Sequence, residues 1–195
     1  MEMANVHSLR PGSFWFAAHA EADAATVRSA ARLVASGVCV VTVGSGETRA
    51  GMTAVSVSLI STEPATLLVC LNRTFADYRA FAQSSVFAVN VLGGDQREIA
   101  HQFTGNPEVT AIRRGECRWL PLADGLSCLA DCAAVFDCEL EETIVRGDTA
   151  MVIARIRRAA VGSVSDALVR WRGVYDQLGW SRDEISRAVG LMPGR

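Results

Sequence analysis

The sequence predicts a mainly β protein with a few helices, closed up as a barrel or sandwich. Three observations carry this. Short apolar and β-branched runs, bounded by Gly, Pro, Asn and Asp, recur along the 195 residues. Regular strand–helix alternation, which a doubly wound sheet needs, is missing from the second half. Gly44-Ser45-Gly46 begins like a dinucleotide-binding loop, but the next Gly stands at 51 and the GxGxxG spacing fails.

The elements follow in order. Residues 1–22 read as an irregular extension, whose Phe14-Trp15-Phe16 group is expected to pack on the body or on a partner subunit. Residues 23–178 form the domain, beginning with a helix over Asp23–Ser36. Val27, Ala30, Ala31 and Val34 recur there at helical spacing, and Gly37 is its expected stop. Val38–Val43 is an apolar strand, followed by a turn at Gly44–Glu47. Arg49–Ser61 is one long strand or a strand with a bend, broken by Glu63-Pro64. Thr66–Leu71 is a buried strand, Thr74–Gln83 a helix, Val86–Leu92 a strand and Asp95–Phe103 a second short helix. A less regular stretch, including Trp119-Leu120-Pro121, leads to strands over Cys132–Val145 and Thr149–Ala160. In the latter, Met151, Ile153 and Arg155 alternate with Val152, Ala154 and Ile156. Ala167–Tyr175 reads as a hairpin around Arg172-Gly173. In the tail, residues 179–195, Ser181 with Glu184 three positions on predicts a short helix start.

Composition narrows the function. Half of the chain is hydrophobic and the formal net charge is −2, so no basic field points to nucleic acid. The 19 basic residues are all Arg, so any cationic side chain on a phosphate must be a guanidinium, and no Lys Schiff base can form. The six Cys sit largely in apolar runs and read as buried small hydrophobes. Cys128 and Cys132 form a CxxxC without zinc spacing beyond it, and His7, His19 and His101 form no pair, so no metal is expected. No signal peptide or apolar run of membrane-spanning length is visible, and a reduced, cytoplasmic protein without membrane contact is the expectation.

Three stretches suit a flat ligand that carries a phosphate. Gly51-Met52-Thr53-Ala54-Val55-Ser56-Val57-Ser58 offers small and hydroxyl side chains, so a ring can lie against the backbone, and Ser56 or Ser58 can reach a polyol or phosphate. Leu67–Thr74 is an apolar strand ending in Asn72-Arg73-Thr74, where Arg and Thr suit a phosphate and Thr74 also suits a helix cap. Phe87–Leu92 contains Asn90 near its end, a ligand or turn residue. Phe103 can cover a ring face or fill the core. On residue types alone, an ordinary half-buried strand with Ser and Thr on its wet face is the commoner explanation of Thr53–Ser58.

The order of Gly51-Met52-Thr53-Ala54, Leu67–Thr74, Phe87–Leu92 with Asp95-Gln96, Phe103-Thr104-Gly105, Phe136-Asp137-Cys138 and Arg172-Gly173-Val174-Tyr175 resembles the flavin reductase family with the FMN-binding split barrel. The nearest likeness is to the reductase component of two-component 4-hydroxyphenylacetate 3-monooxygenases. The resemblance implies a homodimeric split β-barrel that reduces FMN or FAD with NADH or NADPH and passes reduced flavin to a flavin-dependent monooxygenase. It implies that Thr53, Ala54, Val55, Ser56, Cys70, Asn72, Arg73 and Thr74 line the flavin. Two positions depart from the family. Val55 stands where Asn is frequent. Thr149 stands where Gly-Asp-His or Gly-Thr-His places a His near the nicotinamide, so Thr149 holds the expected catalytic position with a hydroxyl and no charge. A flavin carrier, or a flavin-dependent oxygenase or oxidase on the same barrel, is the competing expectation.

Overall fold

The structure is a computed structural model and describes residues 21–104, 117–164 and 166–179. The aromatic group of the N-terminal extension and the expected tail helix lie outside these residues.

Twelve strands and three short α-helices are present among the described residues. The strands are β1 (Ser36–Gly37), β2 (Cys39–Val43), β3 (Ala50–Ala54), β4 (Val57–Thr62), β5 (Ala65–Asn72), β6 (Val86–Val91), β7 (Trp119–Pro121), β8 (Ser127–Leu129), β9 (Ala134–Arg146), β10 (Thr149–Val161), β11 (Asp166–Trp171) and β12 (Val174–Gly179). The helices are α1 (Ala24–Ala31), α2 (Tyr78–Ala82) and α3 (Arg97–Gln102). Seven strands form one antiparallel sheet in the order β3-β2-β6-β9-β10-β5-β4. Its two edge strands, β3 and β4, are consecutive in sequence, joined only by Val55-Ser56. Three Cα steps span at most about 11 Å. The sheet must therefore curl until its edges approach at this corner. No ladder joins β3 to β4, so the curl is open along that seam.

The inside of the curl holds Val41, Met52, Leu67, Val69, Leu71, Phe87, Val89 and Val152. Alternation builds it. Along β10, Ala150, Val152 and Ala154 are fully buried while Met151 and Ile153 are half-buried, as the period of two predicts. Each Val or Leu buried this way stabilises the fold by about 1.5–3 kcal/mol. β2 is buried on both faces. Its outer side, Val38 and Val40, packs with Leu92, Ala100, Phe103 and Leu168 under α3 and a small sheet ordered β1-β11-β12. Burial on both faces explains why Val38–Val43 lacks polar alternation.

Several expectations change. The first helix stops at Ala31 rather than reaching Ser36, and none of its residues is buried. Asp23 caps it, Oδ1 accepting from the N–H groups of Ala25 and Thr26 at 2.9 Å each. Beyond Ala31 the β11–β12 hairpin takes the carbonyls instead: Arg172 N–H donates to Arg32 O at 2.8 Å and Trp171 Nε1 to Leu33 O at 3.2 Å. Gly37 is not a helix stop but part of β1, paired with Val169. α2 begins at Tyr78, four residues after the expected start. Trp119–Pro121 is not irregular but a strand paired with β8. The hairpin expected at Arg172-Gly173 is present, with φ values of 52° and 87° that suit a two-residue turn of the primed type.

Candidate active site

A cleft of about 540 Å³ opens where β3 breaks into β4. The break supplies Thr53, Ala54, Val55 and Ser56. Cys70, Leu71 and Asn72 enter from the end of β5, and Thr149, the cross-strand partner of Asn72, from the start of β10. Phe75 and Thr104 follow these elements in loops. Arg170 and Tyr175, partners across the β11–β12 hairpin, form the remaining wall.

Backbone ties fix the corner. Thr53 N–H donates to Phe103 O at 2.9 Å, and Thr53 Oγ1 donates to Ala100 O at 2.7 Å, locking the end of β3 to α3. Cys70 N–H donates to Ser56 O at 2.9 Å, so β5 holds the break from its other side. The Ser56 side chain is exposed, and Val55 and Ser56 belong to neither strand. Their backbone is outside the ladders, and a ring can approach it. Burial pushes the Cys70 thiol above its ordinary value, so it is a poor nucleophile and serves as wall. Burial also raises the Tyr175 phenol, against the opposing pull of Arg170. The His101 ring lies edge-on to Tyr175 at 4.8 Å between centroids.

Of the residues expected from the sequence, Thr53, Ala54, Val55, Ser56, Cys70, Asn72 and Thr149 meet in the cleft. Arg73 and Thr74, expected to line the flavin, follow Asn72 in the chain but are not part of the cleft lining. Arg73 is exposed, its N–H donating to Asp148 O at 2.8 Å and Nη1 to Gly147 O at 3.3 Å, beside Thr149. Thr74 is not a helix cap. Its N–H and hydroxyl both donate to Asn72 Oδ1, at 2.9 and 2.8 Å, in an Asx turn ahead of α2. Ser58 is exposed on β4, opposite Leu68 and outside the cleft lining.

Two expected site residues belong to the core instead. Asn90 is fully buried. Its Nδ2 donates to Val40 O at 2.8 Å and Thr42 Oγ1 at 3.1 Å, and its Oδ1 accepts from Leu129 N–H at 2.8 Å. It stitches β6 to β2 and β8, and no polar atom of its side chain is left for a ligand. Phe103 is 1% exposed and packs edge-on against Trp119, with centroids 6.2 Å apart.

The sequence reading missed Leu71, Phe75, Thr104, Arg170 and Tyr175 as cleft residues. For the last two a signal exists. A two-residue turn at Arg172-Gly173 pairs Trp171 with Val174 and Arg170 with Tyr175. Another cavity of about 540 Å³, walled by Leu120, Leu122, Val135, Ala159 and Val164, offers mainly the paired Asp137 and Arg158 as charged groups. Its wall is more apolar than that of the first. Among the described residues no group of three His, Cys, Asp or Glu is placed to hold a metal.

Residues 31–179 match the family described as the flavin reductase like domain. The chain belongs to the flavin reductase-like domain family. It is 31% identical over 153 residues to the FMN reductase (NADH) RutF of Bradyrhizobium diazoefficiens, covering 78% of this chain and 84% of that protein. A Haemophilus somnus 129PT protein proposed to be a flavin reductase (YcdH) superposes with a TM-score of 0.74 at 31% identity, over 80% of this chain and all of that one. BorF, the flavin reductase component of a bacterial two-component tryptophan halogenase, superposes with a TM-score of 0.69 at 28% identity, over 82% of this chain and 100% of its own. Membership in the flavin reductase-like family makes this chain an oxidoreductase, and the cleft between β3, β5 and β10 is its candidate active site.

Proposed function

We propose that this protein reduces free FMN with NADH and hands the reduced flavin to a separate flavin-dependent monooxygenase, acting as a homodimeric split barrel in the cytoplasm. One observation carries the reading: the strand break at Val55-Ser56, where backbone outside any ladder opens into a cleft of about 540 Å³. That volume lies within the range of about 300–1,000 Å³ typical of ligand sites. The group fits the residues. Ala54, Val55 and Ser56 are short enough to let a flat ring lie on the backbone. Ser56 and Asn72 offer polar atoms at its edge, and the exposed Arg73, next in the chain after Asn72, suits a terminal phosphate. Phe75 and Tyr175 narrow the space open to water. A bound flavin supplies a ring that accepts hydride from the reduced nicotinamide. Thr149 offers one hydrogen bond on the open side and no positive charge.

The relatives' names support the donor and acceptor, since RutF is named an NADH-dependent FMN reductase. BorF's description as one component of two supports transfer to an oxygenase component. FAD and NADPH remain the alternative ligands. Thr149 favours one further reading, because the imidazole that the resemblance implies at this position is missing: a flavin carrier or oxygenase with little nucleotide turnover. Mixing the protein with NADH and free FMN in air separates the two. Steady NADH oxidation is expected. A yellow protein that leaves NADH untouched would establish the carrier or oxygenase.

A further inference from the structure

Beside the cleft lies a second pocket of about 420 Å³, and it is lined by four arginines. Arg28 reaches it from α1 and Arg32 from the C-cap just after it, Arg170 and Arg172 from the β11–β12 hairpin. No Asp or Glu lines it. Arg28, Arg32 and Arg170 have no hydrogen-bond or ion-pair partner for their side chains among the described residues. Arg172 stacks its guanidinium over the Trp171 ring at 4.5 Å, which holds it in place without neutralising it. Like charges that line one pocket repel one another until an anion arrives. The chain as a whole is slightly acidic, so this is a local concentration and not a general basic surface.

The pocket and the cleft share Val55, Ser56 and Arg170. A ligand whose ring lies in the cleft can therefore extend past Ser56 into the arginines. Guanidinium groups recognise phosphate in a forked, two-bond geometry. Arg73, the cation suited to a mononucleotide phosphate, is not part of this pocket, so the four arginines are available to a second phosphate group.

We propose that Arg28, Arg32, Arg170 and Arg172 bind the phosphate-bearing adenosine half of a dinucleotide whose ring half occupies the cleft. This rests on reading the cleft as the flavin site. Two dinucleotides share the chemistry, FAD and the nicotinamide donor, and the test separates them. The Arg28→Ala/Arg32→Ala double variant changes only an exposed helix with no buried residue, so the fold should survive. Its FMN affinity should equal that of the parent, which also checks folding. The affinity for FAD, or the KM for NADH or NADPH, should worsen by about tenfold or more, the scale of a lost charge-assisted contact. A loss confined to FAD assigns the pocket to the flavin's adenylate. A raised KM with unchanged FAD affinity assigns it to the donor. Unchanged values for FAD, NADH and NADPH would overturn the proposal, as would an equal loss for FMN. Titration of ADP into parent and variant stands apart from the cleft. If the parent binds no FMN, the flavin-site reading fails, yet ADP binding that the variant loses still supports the pocket; ADP binding equal in both overturns it.

Discussion

Arg73 and Thr149 stand side by side where β5 and β10 meet, and they separate two roles. Arg73 is exposed and its side chain makes one long contact, at 3.3 Å to Gly147 O. Arg73→Ala should therefore change stability little. FMN affinity should fall about tenfold or more, because a charge-assisted phosphate contact is lost. Riboflavin, which lacks the phosphate, should bind parent and variant alike; an equal loss for both ligands would remove Arg73 as a phosphate contact. Thr149 is half-buried in the cleft and paired with Asn72. Thr149→His introduces the ring that the family resemblance implies at this position. It should lower the KM for NADH and leave FMN affinity nearly unchanged, a split that steady-state kinetics reads directly. An unchanged KM would place residue 149 away from the nicotinamide. At this scale the sequence was a good guide wherever the backbone sets the position. Thr53 to Ser56, Cys70, Asn72 and Thr149 came together because strand breaks and strand ends converge at one corner. It misled where burial decides. Asn90 has the same residue type as Asn72, yet the first is a fully bonded core group and the second an exposed turn former. Only the three-dimensional surroundings distinguish them.

At the scale of elements, β3 shows how packing positions the site. Gly51 faces the Phe103 ring: a Cβ there would stand 2.9 Å from Phe103 Cε1 and 3.2 Å from Val41 O. Only a hydrogen fits, and that close approach lets the next residues of β3 bond to α3 through Thr53. Gly51→Val should force the strand away from α3 and cost about 1–3 kcal/mol by overpacking. FMN affinity should fall with it, since Thr53 and Ala54 move too. Urea unfolding and flavin titration check both; normal flavin binding in a destabilised variant would uncouple the strand from the cleft. Periodic elements were legible here. β10 was visible from its alternation, and the β11–β12 hairpin from Arg172-Gly173. α1 was overextended because helical spacing of Val27, Ala30, Ala31 and Val34 predicts a buried face, whereas Val27 and Val34 are 50% and 66% exposed. Its end is set by the hairpin's claim on the carbonyls of Arg32 and Leu33, a contact between residues about 140 positions apart. β7 was hidden because a three-residue strand ending in Pro121 carries too little pattern to read.

For the whole molecule, two consequences follow from what is buried and what is not. Burial pushes the thiols of Cys39, Cys132 and Cys138 up to about 12, from 9.0 in the open chain. Each is neutral in the fold, so its contribution is intact below about pH 9. It is lost as the pH rises from 9 towards 12, because the unfolded thiol ionises first. The unfolding free energy should fall over that window by about 1.4 kcal/mol per pH unit for each thiol at most. Denaturant unfolding at stepped pH should show this fall, reduced in the Cys39→Ala variant; a flat profile would mean that the thiols are wetter than the structure places them. The opposite problem stands at the sheet's edge. Among the described residues β4 pairs only with β5, and its other side has no ladder. Leu59 and Ile60 on it are 57% and 54% exposed, at a bulge where Ile60 has no partner on β5. An unpaired edge with exposed apolar side chains is a surface that must be covered. A second copy of the chain is the occupant we expect, because a two-fold dimer is the commonest way to bury a self-complementary patch. β4 starts directly after Val55-Ser56, so the covering subunit would also close over the mouth of the cleft. Light scattering should return the mass of a dimer at micromolar concentration. Ile60→Lys should shift it to monomer and weaken FMN binding while leaving the thermal unfolding of the isolated subunit near that of the parent at high dilution. A parent that scatters as a monomer would leave β4 an open edge and the site complete within one chain.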